Sequence, residues 1–328
     1  MYIGDANIRT NKRLLQLICV LHKDCLTKFT SSAMVERATL GLLIRSQTAL
    51  TEITVPDMDA NGSGATPGTA YLQGNLQKLQ RLHIGVSSSN ITYEHWFRYT
   101  PALRSLTLSQ SKSESYAELR LWKPSDVPAP LLLKRLTLKK LSLPLNSSPL
   151  GRLLDLRVLK HLKISDCLDI GPILFALARN FSKMENTALT QLSITSDRMD
   201  EVWFKELGVL LSSFKGLETL FVSSMSPVRL NVGAIRFHGK TLRDLHVDML
   251  NDDELQRENG DMHLYTADEL KCLVDDCVHL EHLGIALVEI EFLTNEPYKE
   301  FKLYPTPYRS YVGTALATAL VSASRESI

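Results

Sequence analysis

The sequence predicts an α/β solenoid, a horseshoe in which short parallel strands line the concave side and helices cover the convex side. Three observations carry this prediction. One apolar pattern returns along most of the chain, its returns are nearly evenly spaced, and the segments between them carry helical stripes.

The pattern is apolar-x-x-apolar-x-apolar. Its copies are Leu50/Ile53/Val55, Leu79/Leu82/Ile84, Leu103/Leu106/Leu108, Leu133/Leu136/Leu138, Leu159/Leu162/Ile164, Leu189/Leu192/Ile194, Leu217/Leu220/Val222, Leu242/Leu245/Val247 and Leu280/Leu283/Ile285. An average interval of about 29 residues leaves room for a strand and a helix in each unit. The last two apolar residues alternate with polar ones, as a strand with one buried face requires, while the first closes the turn entering it. One such strand cannot bury its own face; stacked side by side, the strands share a continuous core. In the fourth unit Leu138/Leu141/Leu143 also fits, but Leu133 gives the more even spacing.

The intervening segments read as helices. Thr266 and Glu269 have capping-box spacing and precede Leu270, Leu273, Val274, Cys277 and Val278 on one helical face. Trp203, Leu207, Leu210, Leu211 and Phe214 form a similar stripe. Pro172 at a helix start precedes Ile173, Leu174, Leu177 and Phe181. Before the repeats, Leu14, Leu17, Ile18, Leu21 and Cys25 suggest an amphipathic helix that caps the first unit. The organisation is then an N-terminal helical cap over 1–49, an array of about nine irregular units over 50–286, and a C-terminal cap or tail over 287–328. Segments 56–75 and 109–130, rich in turn-forming residues, read as surface loops. Segment 251–265, where Asp252, Asp253, Glu254, Glu258 and Asp261 face one Arg257, reads as a solvated acidic loop or an attachment point for a basic partner.

Composition narrows the function classes. The 328 residues are 44% hydrophobic and 22% charged, with a formal net charge of +1, so no global field favours nucleic acid or an acidic membrane. Five scattered cysteines form no disulfide framework, and no apolar stretch has the length of a membrane span. Without an export signal at its start, the chain is expected in cytoplasm or nucleus, with reduced thiols.

The unit Leu159-Lys-His-Leu162-Lys-Ile164-Ser-Asp-Cys167 resembles the leucine-rich-repeat family, most closely the irregular helix-containing repeats of fungal F-box proteins. The resemblance covers about residues 50 to 286 and implies a leucine-rich-repeat solenoid. It also implies that Cys167, at a position usually Asn or Cys, hydrogen-bonds the turn leaving the strand. Other units hold Ser87, Ser111, Leu141, Asp197, Met225, Leu250 or Val288 there, which implies less regular stacking. Nothing in residues 1 to 45 resembles an F-box. The expectation is therefore the substrate-recognition half of such a protein, binding the ubiquitin ligase adaptor only if a box exists upstream.

No phosphate loop, zincin helix or nucleophile elbow is present, so no enzyme, cofactor or metal is expected. Cys272, Cys277, His279 and His282 cluster in sequence, but with spacing unlike the common zinc modules. The expected function is binding another protein on the concave face, with neither nucleic acid nor membrane as partner. Residues alternating with the apolar ones should point out of that face: Arg81, His83, Arg135, Lys139, His161 and Lys163 in the early units, then Phe221, Asp244, His246 and Asp248 in the later ones. The alternative is a GTPase-activating or other enzyme-regulating solenoid, which needs an exposed Arg or Asn near one rim, with Arg81, Arg135 and Arg243 as candidates.

Overall fold

In a computed structural model of the chain, the described residues are 3–55, 58–59, 75–85, 99–110, 116–118, 130–143, 154–197, 202–224, 229–249 and 265–285. Most of the segments expected as loops, and the whole 287–328 tail, lie outside them. The chain divides into two compact units, Met1–Ile173 and Leu174–Ile328. Within each unit the strands of the main sheet run parallel, an α/β arrangement compatible with a repeat solenoid.

In the first unit the sheet strands are β1 (Lys28–Thr30), β3 (Glu52–Val55), β5 (Arg81–Gly85), β6 (Ser105–Ser109), β8 (Arg135–Lys139) and β10 (His161–Ser165). Two pairs of two-residue strands lie outside this sheet: β2 (Val35–Glu36) with β4 (Met58–Asp59), and β7 (Ala117–Glu118) with β9 (Leu141–Ser142). Helix α1 (Ile3–Val20) precedes them and α2 (Arg37–Ser46) lies against it. Buried Asn11 joins them, its Nδ2 donating to the Met34 carbonyl and its Oδ1 accepting from Glu36 N–H.

Helix α3 (Ile170–Phe181) follows β10. The second unit carries β11 (Gln191–Ser196), α4 (Val202–Ser212), β12 (Thr219–Ser224), α5 (Val232–Arg236), β13 (Asp244–Met249), α6 (Ala267–Asp276) and β14 (His282–Ile285). Phe181 and Phe214 pack with ring centroids 5.0 Å apart. Helix α5 lies against both α4 and α6. The Thr266–Glu269 capping box forms as read, and Glu269 also binds Arg229. Val278 departs from the expected stripe: α6 ends at Asp276, Cys277 turns the chain, and Val278 is left exposed.

The repeat is visible atom by atom. The N–H groups of Leu50, Leu79, Leu103 and Leu280 each donate to the carbonyl three residues back, so the first leucine does close a turn. One residue before eight of the sheet strands, a carbonyl then accepts two N–H groups from the following unit. Thr27 takes Thr51 and Glu52, Thr51 takes Gln80 and Arg81, Gln80 takes Arg104 and Ser105, Arg104 takes Lys134 and Arg135, and Lys134 takes Lys160 and His161. The same step recurs in the second unit at Thr190, Glu218 and Arg243. It fixes the register and supports the Leu133 alignment, since Leu136 and Leu138 stand opposite Leu106 and Leu108.

Every repeat-pattern residue is buried except Leu283 and Ile285 on β14. Each full burial of this kind stabilises by about 1.5–3 kcal/mol relative to exposure. Lys140 and Asp166 follow β8 and β10 at equivalent positions and both have positive φ, 55° and 51°. There the backbone turns sharply out of the strand. Cys167 comes next, buried, its thiol donating to the Ser165 carbonyl at 3.4 Å. No helix among the described residues is long and apolar enough to cross a membrane.

Candidate functional site

Alternation along each strand leaves one face of the sheet bearing side chains that the core does not take. The parallel register sorts them into rows. In the first unit one row runs Lys28, Glu52, Arg81, Ser105, Arg135, His161, and the next runs Thr30, Thr54, His83, Thr107, Thr137, Lys163. Ser109 and Lys139 stand opposite each other one step further along. In the second unit the rows are Gln191, Thr219, Asp244, His282, then Ser193, Phe221, His246, Gly284, then Thr195, Ser223, Asp248.

All ten residues singled out from sequence stand on these rows. Arg81, Arg135, Lys139 and Lys163 are exposed, whereas His83, His161, Phe221, Asp244, His246 and Asp248 are half-buried. Sequence reasoning passed over the units at β3, β6 and β14, and so missed Glu52, Ser105, Thr107, Ser109, His282 and Gly284. The same alternation rule, applied to those units, identifies them.

The first unit's face is basic and rich in hydroxyls. Glu52 is shared by Lys28 at 3.6 Å and Arg81 at 3.5 Å. His83 Nε2 lies 3.0 Å from Ser109 Oγ, and burial, helped by the charge of Lys139, holds this imidazole below its ordinary pKa.

The second unit's face is acidic and aromatic. Thr219 Oγ1 donates to Asp244 Oδ2 at 3.0 Å, and the other oxygen of Asp244 meets His282 Nδ1. Phe221 and His246 stack with centroids 4.5 Å apart and planes within 2°. Phe221 is thus less exposed than the sequence suggests, because a neighbouring ring covers one of its faces. Gly284 makes room for this: a Cβ there would collide with His246 Nδ1. Burial holds His246 below its ordinary pKa against the opposing charge of Asp248, and burial raises Asp248 against the opposing charge of His246. The arrangement offers a flat aromatic platform between carboxylates.

Other sequence-level candidates resolve differently. Arg81 and Arg243 are engaged by Glu52 and Glu281, whereas Arg135 has no ion pair among the described residues. In the Cys272–His282 segment the four side chains do not converge. Cys272 and His279 are exposed, Cys277 is buried with its thiol pushed up to about 11, and His282 turns to Asp244. Cys272 lies on the solvent side of α6. Neither a known protein family nor any curated protein matches the sequence of this chain.

Proposed function

We propose that the chain is a non-catalytic protein-interaction module, a leucine-rich-repeat horseshoe that binds another protein on the open, concave face of its sheet. The observation that carries this reading is the Phe221–His246 stack, set on a solvent-facing row between Asp244 and Asp248. Aromatic anchors flanked by charge are what protein interfaces use, and a sheet that needed only solubility would place small polar groups there. The repeat units resemble those of F-box proteins, so substrate recognition for a ubiquitin ligase in cytoplasm or nucleus is the specific form proposed. Adaptor binding then requires an F-box upstream of the segment seen here.

The test begins with affinity capture and identification of a partner, followed by binding kinetics of variants. Phe221→Ala weakens that partner by about 1–3 kcal/mol without loss of folding. Lys205→Ala, on the exposed side of α4, leaves binding unchanged. Equal effects from the two variants, or none from Phe221→Ala, would remove the open face as the site.

A further inference from the structure

We infer that the open face of β8 and β10 is the docking site for a carboxylate-rich, extended segment of a partner protein. The inference rests on reading the open face as an interaction surface and names the partner chemistry of its basic half. Lys163 on β10 stands opposite Thr137 on β8, so Arg135 and Lys139 flank it diagonally from the neighbouring strand. Strands are about 4.8 Å apart and alternate residues about 6.5 Å apart along each, so three cations share one small area.

All three are exposed, and among the described residues none has an ion-pair partner. Lys134 and Lys160, exposed at the entries to the same strands, add to the charge. Elsewhere on this unit's open face the cations are matched, Lys28 and Arg81 both lying against Glu52. Like charges on adjacent strands repel and cost stability. A face selected only for solubility would interleave signs, as the β1–β5 edge does. The repulsion is relieved when an anionic partner arrives.

The shape of the patch selects among anions. Ser105, Thr107 and Thr137 stand in the same rows and present hydroxyls that donate to carboxylate oxygens. Side chains on one face of an extended peptide recur about every 6.5–7 Å, so two carboxylates two such steps apart span the roughly 13 Å between Arg135 and Lys139 along β8. Single-stranded nucleic acid is held by basic grooves combined with aromatic platforms. The described open-face rows of this unit contain no Phe, Tyr or Trp.

The experiment is fluorescence anisotropy with a labelled twelve-residue peptide of alternating glutamate and serine. A lysine–serine peptide and an oligouridine of the same length are run beside it. The glutamate peptide binds, binding falls with added salt, and the combined Arg135→Ser, Lys139→Ser, Lys163→Ser variant weakens it at least tenfold while Lys205→Ser does not. A second readout separates recognition from structure. Lys163→Glu places an anion between Arg135 and Lys139, so it abolishes peptide binding yet raises the melting temperature by about 1–3 °C. A fall in melting temperature, equal peptide affinity in the triple variant, no binding of the glutamate peptide, or tighter binding of oligouridine would each overturn the inference. If partner capture still responds to Phe221→Ala after such a result, only the acidic-segment inference is lost. If that response is absent too, the open-face reading is lost with it.

Discussion

Buried His238 makes the stability of the second unit depend on pH in a way that one substitution isolates. The ring is 1% exposed, packs at a tilt against Phe214 with centroids 4.9 Å apart, and accepts a hydrogen bond on Nδ1 from Leu217 N–H at 3.4 Å. Its Nε2 is buried without a hydrogen-bond partner. Burial pushes its pKa down from 6.5 to about 4. Above pH 6.5 the imidazole is neutral both folded and unfolded, and its full contribution to stability is present. Between pH 6.5 and about 4 the unfolded chain takes up a proton that the folded chain refuses, so stability falls as pH falls. At about 1.4 kcal/mol per pH unit the loss across that window is about 3 kcal/mol. His238→Phe keeps an aromatic ring but leaves Leu217 N–H unpaired, costing about 1–3 kcal/mol at pH 7.5. What identifies the mechanism is the slope. In urea unfolding at pH 7.5, 6, 5 and 4.5, the stability advantage of wild type over His238→Phe falls toward acid by about 2–3 kcal/mol, reaching zero or reversing. Carboxylates and the other histidines contribute equally to both proteins and cancel. A difference constant across that range would refute the placement of a neutral imidazole in the core.

Further outcomes follow from the same geometry. Thr266→Ala removes the α6 cap and costs about 1 kcal/mol in urea unfolding, and Glu269→Ala matches or exceeds it because Arg229 also loses its partner. Leu192→Ala, at a fully buried repeat position, costs about 2–5 kcal/mol, whereas Leu283→Ala on half-exposed β14 costs clearly less. With a thiol reagent at pH 7, the exposed Cys19, Cys25 and Cys272 of the native protein react. Cys167 and Cys277, buried and each pushed up to about 11, react only after denaturation. Gly284→Val displaces the His246 ring and breaks its stack on Phe221, which appears as a shift of the His246 resonances toward those of a solvated imidazole.

The strand layer was legible because a single physical demand, burying every second side chain against neighbours of the same kind, writes itself into the sequence as leucine spacing. The same demand located the α3, α4 and α6 helices, whose apolar stripes are long enough to show a period. Strand β1 escaped because Leu26 and Phe29 are only half-buried at the sheet edge, and Ser31 occupies the position where the pattern expects a third apolar residue. The two-residue strands β2, β4, β7 and β9 escaped because two residues carry no periodicity. Helix α5 escaped for the same reason: it spans five residues, and its visible mark is Asn231, whose side chain accepts from Gly233 N–H at the helix start.

For the candidate site, sequence specified which residues face outward but not which of them are already satisfied. Arg81 and Arg135 look alike as exposed cations one residue before a buried leucine. In the structure one is held by Glu52 and the other stands beside Lys163 with no carboxylate near it among the described residues. The leucine pattern aligns the strands, but which of the aligned outward side chains pair depends on side-chain conformation, which that pattern does not specify. The same argument applies to Phe221. The register places His246 beside it and Gly284 beyond, so that the aromatic residue is neither buried in the core nor fully open to water. A half-buried ring stacked on a neighbour has lost part of its freedom before any partner arrives. That preorganisation lowers the entropy cost of using it as an anchor, which supports the proposal that the stack marks a binding surface.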